Sequence, residues 1–380
     1  MNLLTQALFV AAVCFVVSNS AERDSKLGDL VTITLPSVGP DVERNFGQDY
    51  VNWKGPQSFN RLRTPGSNSS SDRVYNGVEA TPYQFPWVVW IVVTFNNGDE
   101  YFCGGVIIDY NYILTAAQCI YPGNTIRRLD VVAGDHDLYV KKIINLKSRN
   151  EGWEQTRIGV NVTRPGNYNP NTNAYDVGLI ALNNALIPSH AVGRVALAYP
   201  GYPGSSGILT VSGWGSTSEF GNVVPKLRKA NMTGVSNSAC STAYSGSATI
   251  RSDMMCARGA SGGSGGCAGD AGGPLMCHNE VDGYFLCGIV SFGMECSTSR
   301  YPEVYQRMSS FVTWINDAAG INVLTAGHMD PTTTTTTTTT TRRSTTTRRG
   351  GDGGGCSLSI NFMALFISVI FLIRNRLTNV

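Results

Sequence analysis

The amino-acid sequence predicts an all-β protein, and three observations carry that prediction. Glycine is abundant, at 42 of 380 residues, which suits many short strands joined by tight turns. Apolar residues come in short runs such as "WVVWIVVTF" and "FLCGIVSF", rich in Val, Ile and aromatics and bounded by Gly, Pro and Asn; that is how strands are punctuated. Helical spacing is scarce. Its clearest instance is "MSSFVTWINDAAG", where Phe311, Trp314 and Ile315 share one face and Ser309 or Ser310 can cap the start.

Taken in chain order, residues 1–20 form a secretory signal. An apolar run from Ala7 to Val17 is followed by the small residues Ser18 and Ser20, and the run is too short to span a bilayer. Residues 21–73 are polar, free of cysteine and without convincing periodicity, and end in "TPGSNSSSDR", the composition of a mobile pro-segment or linker. Residues 74–318 form the compact domain. Residues 319–356 carry a polythreonine run beside proline, which builds no core and reads as an O-glycosylated stalk. Residues 357–373 are continuously apolar and are followed by a short basic tail, 374–380, with Arg374 and Arg376 at its start. With Cys356 included, ~1.5 Å per helical residue gives a span of roughly 27 Å, enough to cross a bilayer. The basic tail fits a cytoplasmic end. A GPI signal is the rival reading, since Gly353 to Ser357 supplies small residues, although the polar spacer is missing. The protein is therefore expected outside the cell and anchored at its surface.

A net charge of +2 gives no field that would hold nucleic acid. Of the ten cysteines, Cys14 falls in the signal and Cys356 beside the apolar tail; the eight between belong to the domain. Export permits disulfides, no CxxC pair suggests a metal, and eight cysteines alone allow roughly a hundred pairings. A calcium loop between Asp135 and Glu154 is one reading, but the carboxylates there match calcium-loop spacing poorly, and neither metal nor cofactor is expected. Three sequons place surface glycans at Asn68, Asn161 and Asn231.

Seven blocks then occur in one order: "VYNGVEATPYQFPW", "CGGVIIDYNYILTAAQC", "YDVGLIAL", "VSGWGSTSEFG", "CAGDAGGPLMC", "CGIVSFGMEC" and "PEVYQRMSSFVTWI". In these blocks residues 74–318 resemble the chymotrypsin/trypsin-like serine proteases. The resemblance implies two six-stranded antiparallel β-barrels, a cleft between them and a C-terminal helix. The family's reaction needs a nucleophilic Ser, a His to take its proton and an Asp to orient the His. Asp176 matches the Asp, but Gln118 stands at the base and Ala271 at the nucleophile. An amide does not titrate near neutral pH and a methyl group cannot attack a carbonyl. None of the four histidines, His136, His190, His278 and His328, lies in a triad block.

The scaffolding around the loss is intact. By the resemblance, Gly269 and Ala271 offer backbone N–H groups to an oxyanion, donors that need no side chain. Gln118 can donate its amide to Asp176, so the buried carboxylate need not go unpaired. Cleavage after Arg73 would free Val74 to insert and pair with Asp270, although Tyr75 and Asn76 depart from the family's usual residues. By the same resemblance, Gly265, Ser291, Gly293 and Glu303 surround the specificity pocket. Gly265 stands where trypsins carry an acid, and Glu303 replaces a customary Gly on the opposite wall, either filling the pocket or supplying a carboxylate to a basic side chain. The resemblance pairs Cys103 with Cys119, Cys240 with Cys256 and Cys267 with Cys296. Cys277 lacks its usual partner near Leu209 and is assigned to Cys287, ten residues on in the adjacent strand. No pro-segment cysteine remains to tether a cleaved pro-segment.

The function expected is that of a non-enzymatic serine protease homologue tethered to the membrane. It would bind proteins or peptides, among them proteases, zymogens or inhibitors of a cascade, as cofactor or decoy. The alternatives are an active trypsin-like endopeptidase, which fits the fold but not Gln118 and Ala271, and an adhesive cell-surface glycoprotein.

Overall fold

In the computed structural model two sheets close on themselves. It describes residues 27–37, 77–138, 153–204, 208–216, 223–260, 265–267, 269–294, 296 and 300–326. The signal, most of the pro-segment with Asn68, Arg73 and Val74, the stalk beyond Ala326 and the apolar tail lie outside these residues.

The first half contributes β1 (Leu30–Thr34), β2 (Val78–Glu79), β3 (Val88–Phe95), β4 (Glu100–Asp109), β5 (Tyr112–Thr115), β6 (Ile126–Ala133), β7 (Gln155–Pro165) and β8 (Gly178–Leu182). The second contributes β9 (Leu197–Ala198), β10 (Ile208–Gly213), β11 (Arg228–Val235), β12 (Met254–Gly259), β13 (Pro274–Asn279), β14 (Gly283–Phe292), β15 (Glu303–Arg307) and β16 (Thr325–Ala326). The described residues also form two α-helices, α1 (Asn237–Ala243) and α2 (Val312–Ala319). In one sheet the order β7-β6-β3-β4-β5-β8 is closed by pairing of β7 with β8; in the other β13-β10-β11-β12-β15-β14 is closed by β13 with β14. These are the two six-stranded antiparallel barrels that the sequence motifs imply. Closure pairs every strand of each set of six on both sides over part of its length, but β7 runs on past β6, and its residues Asn161–Pro165 pair on that side with β1.

The run "VVWIVVTF" is apolar throughout because β3 is buried on both faces. Val89, Ile91 and Val93 point into the first barrel, whereas Val88, Trp90 and Val92 pack with Phe102, Trp214 and Leu227. Trp90 stacks on Phe102 at a centroid distance of 5.9 Å, and its indole N–H donates to Asp135 Oδ2 at 2.9 Å. A buried indole thus keeps a polar partner, the usual condition for placing Trp in a core.

Four disulfides join Cys103–Cys119, Cys240–Cys256, Cys267–Cys296 and Cys277–Cys287. The last bridges β13 and β14, with Cα atoms 5.6 Å apart. Leu209 of β10 sits directly across from Cys277, so the position of the missing partner is filled by an apolar side chain.

Three boundaries differ from the sequence reading. Ser309 and Ser310 do not cap the helix: Met308–Ser310 forms a 3-10 turn, α2 starts after Phe311 without a side-chain cap, and the Ser309 hydroxyl donates to the Tyr202 carbonyl at 3.1 Å. The compact domain does not stop at 318, because the chain turns back after Gly320 and β16 pairs in parallel with β9. The pro-segment is not wholly without structure either. Its residues Leu30–Thr34 form β1, antiparallel to β7, a strand too short for its alternation to stand out by eye. Of the described sequons, Asn231 is exposed on β11, while Asn161 is half-buried in β7 between Thr34 of β1 and Ala181 of β8.

Candidate functional site

Asp176 is the fixed point of the site. It lies just before β8, fully buried, and the 3-10 turn Ala117–Cys119 that follows β5 carries Gln118 against it. The Gln118 backbone N–H donates to Asp176 Oδ1 at 2.8 Å, and its side-chain Nε2 donates to Oδ2 at 2.6 Å. The same Nε2 donates to the Ser291 carbonyl at 2.7 Å, and the Ser291 hydroxyl donates to Asp176 Oδ2 at 2.6 Å. Burial pushes the Asp176 carboxyl up to about 6, although Ser291 and Gln118 oppose the shift by hydrogen-bonding the charged form. Gln306 continues the network, donating to Ser291 Oγ at 3.3 Å and to the Asn173 carbonyl at 3.1 Å.

Both amide hydrogens of Gln118 are therefore committed. Its Oε1 is buried and accepts no hydrogen bond among the described residues. A primary amide has two donors and one acceptor oxygen and no proton to exchange near neutral pH. Gln118 can position Asp176; it cannot relay a proton.

Ala271 is buried at the head of the loop leading into β13, and its carbonyl accepts from the Gly104 N–H at 2.8 Å, which fixes the loop against the first barrel. Gly269 has φ +98°. Among the described residues neither Gly269 nor Ala271 donates its N–H to another backbone group. Between them Asp270 turns inward, accepting from the Gly215 N–H at 2.8 Å and the Cys267 N–H at 2.9 Å. Burial raises its carboxyl to about 6. A Cβ on Gly215 would stand 2.2 Å from Asp270 Oδ2, which is why "SGWG" needs glycine there. Val74, the proposed partner of Asp270, falls outside the described residues.

Glu303 starts β15 and is 2% exposed. A Cβ on Gly266 would lie 3.2 Å from its Oε2, so this carboxylate lies against Gly266. The Tyr305 hydroxyl donates to the same oxygen. Burial first, and then the Glu303 and Asp270 charges, raise the Tyr305 phenol far above its ordinary value. Ser291 and Gly293 are buried.

Folding also assembles a cleft that no motif marks. About 290 Å³ is lined by Asn171, Thr172 and Asn173, by Gly246 to Thr249, and by Phe292. These residues carry no reactive group, and only folding brings the three segments together. The Asn173 and Tyr175 backbones have φ of +51° and +57°, which costs ordinary side chains of order 1–3 kcal/mol each. The loop is thus held in its shape by the surrounding contacts. Among the described residues no cluster of three or more His, Cys, Asp or Glu is placed to hold a metal, and no helix is long and apolar enough to cross a membrane.

Two closed barrels, an Asp held at their junction and a glycine-rich loop beside it define the trypsin-like architecture. The chain belongs to the trypsin family, whose pattern it matches over residues 74–315. It is 34% identical to Trypsin-1 of Astacus astacus over 245 residues, covering 64% of this chain and 98% of that one. It is 33% identical to Trypsin I-P1 of Gallus gallus over 263 residues, 68% and 94% of the two chains. With coagulation factor IX of Cavia porcellus it shares 31% identity over 306 residues, 74% of this chain and the whole of the other.

Proposed function

We propose that this protein is a non-catalytic member of the trypsin family that acts by binding proteins or peptides, as a cofactor or decoy for proteases, zymogens or inhibitors at the cell surface. The observation that carries the reading is the commitment of the Gln118 amide to Asp176 and to the Ser291 carbonyl, beside Ala271 at the nucleophile position. Removal of the base or the nucleophile from a serine protease costs on the order of a millionfold in turnover, and here both are replaced. The Gly269 and Ala271 N–H groups remain as donors to a peptide carbonyl. The cleft against Phe292 offers room for a neighbouring side chain. Exposure at the cell surface rests on the signal-like residues 1–20 and the apolar run at 357–373.

The test compares peptide hydrolysis with peptide binding. Purified ectodomain, before and after cleavage following Arg73, is expected to leave chromogenic peptides intact and to resist serine-directed phosphonates, while retaining protein inhibitors of trypsin on a sensor surface. Specific phosphonate labelling would restore the endopeptidase reading. Loss of all peptide and inhibitor binding would favour an adhesive role. For the anchor, deletion of residues 357–380 should release the protein into the medium, whereas phosphatidylinositol phospholipase should not; release by that enzyme would establish the GPI form.

A further inference from the structure

The strand β1 belongs, in sequence, to the segment that cleavage after Arg73 would sever from the domain. In space it belongs to the first barrel. Leu30 to Thr34 pair in antiparallel register with Pro165 to Asn161, and the ladder continues beyond both ends. The Leu35 N–H donates to the Val160 carbonyl at 2.8 Å, and at the other end the Gly166 N–H donates to the Asp29 carbonyl at 2.7 Å. Leu27 and Leu35 are both 5% exposed and join the core of the first barrel, with Ile33 packed against it. On the outer side the Thr32 and Thr163 hydroxyls meet at 2.8 Å.

The barrel side is shaped to receive the segment. A Cβ on Gly166 would stand 2.6 Å from the Asp29 carbonyl oxygen, a contact with backbone that cannot swing away. A Cβ on Gly123 would stand 3.0 Å from Ile33 Cδ1. Two buried leucines, a main-chain ladder and two glycines that leave room for the segment together make a seat for a strand, the arrangement by which extended peptides add to a sheet edge.

We propose that residues 27–35 are a non-covalent retaining strand. When the chain is cut between Leu35 and Gly77, the N-terminal fragment stays on the edge of β7, and the cleaved molecule is a two-chain protein held without a disulfide. The β7 edge is accordingly a peptide-binding surface whose occupant is this chain's own pro-segment. The inference does not depend on whether the site turns over substrate, nor on which protease makes the cut.

The test introduces the cut deliberately. In the full ectodomain, residues 66–73 are replaced by the recognition sequence of a site-specific protease, and digestion is followed by size-exclusion chromatography in native buffer and by non-reducing denaturing electrophoresis. The fragment is expected to co-elute with the domain and to separate from it on the denaturing gel. Ile33→Pro is the first disrupting variant: the Leu35 N–H points to β7, so by strand alternation the Ile33 N–H does too, and proline removes it while leaving the domain's own sequence intact. Gly166→Ala tests the seat from the other side. Each is expected to lower the retained fraction at least tenfold at micromolar protein, with the circular dichroism of the domain unchanged. Release of the unaltered fragment from a folded domain would overturn the proposal, as would full retention of the fragment in both variants.

Discussion

Gln118 holds Asp176 twice, through its backbone N–H at 2.8 Å and its side-chain amide at 2.6 Å. The second contact reaches a buried oxygen that also accepts from the Ser291 hydroxyl, and among the described residues no imidazole performs that task. Removing the side-chain donor while keeping the volume should therefore be costly. Gln118→Leu leaves the Ser291 carbonyl without this partner and Asp176 Oδ2 with one donor fewer. A loss of about 1–3 kcal/mol is expected, read from urea denaturation, with Gln118→His losing much less because an imidazole N–H can take the same role.

The same geometry predicts how activity returns. Ala271→Ser alone supplies a hydroxyl without a base, and Gln118→His alone a base without a nucleophile. In the cleaved ectodomain neither single variant should exceed background peptide hydrolysis, whereas the double variant should exceed it by at least a thousandfold, because the two act as a unit. Appreciable turnover by Ala271→Ser alone would show that another group serves as base.

Asp270 makes stability depend on pH with a sign that cleavage should reverse. In the described structure burial raises its carboxyl from 3.8 to about 6. Between these values the folded state holds a proton that the unfolded state has released, so stability falls as pH rises through the window, by on the order of 3 kcal/mol. Asp176 has the same upward shift, so Asp270→Asn is needed to isolate the Asp270 part. That variant should gain on the parent between pH 4 and pH 6 by roughly this amount. After cleavage, an inserted Val74 ammonium would hold the carboxyl low instead. The parent's advantage over Asp270→Asn would then be present at neutral pH and lost as the pH falls below 4. Unfolding midpoints of both proteins, intact and cleaved, at a series of pH values provide the measurement.

Glu303, lying against Gly266, predicts a preference for cations. Benzamidine should bind the cleaved domain, and Glu303→Gln should weaken it about tenfold or more, since a charge-assisted hydrogen bond contributes about 1.5–3 kcal/mol. Equal calorimetric affinities for parent and variant would mean that the Tyr305 contact fixes the carboxylate away from ligand.

The bridge between β13 and β14 closes a separation of ten residues. Replacing Cys277 and Cys287 together by Ala should cost about 2–3 kcal/mol by the loop-closure argument, seen as a lower denaturation midpoint without loss of fold, since the ladder from Pro274 to Asn279 with β14 remains.

The fold and the chemical identity of the site are legible in the order of residues alone. Glycine-punctuated Val, Ile and aromatic runs specify strands through local backbone preference. The ordered blocks around Gln118, Asp176 and Ala271 fix which side chains reach the barrel junction, and residue identity alone decides that an amide and a methyl group stand there. What depends on segments far apart in the chain had to wait for the tertiary structure. The second hydrogen bond from the Gln118 side-chain amide, to the Ser291 carbonyl, spans 173 residues, and the cleft against Phe292 is assembled from loops with no reactive residue in them. The helix start moved past Ser309 because its hydroxyl found the Tyr202 carbonyl, a partner no local capping rule contains. The pro-segment strand was hidden for the same reason. Five residues of weak alternation become a strand only when a barrel edge supplies their hydrogen bonds and a core receives Leu27 and Leu35, and both of those come from elsewhere in the chain.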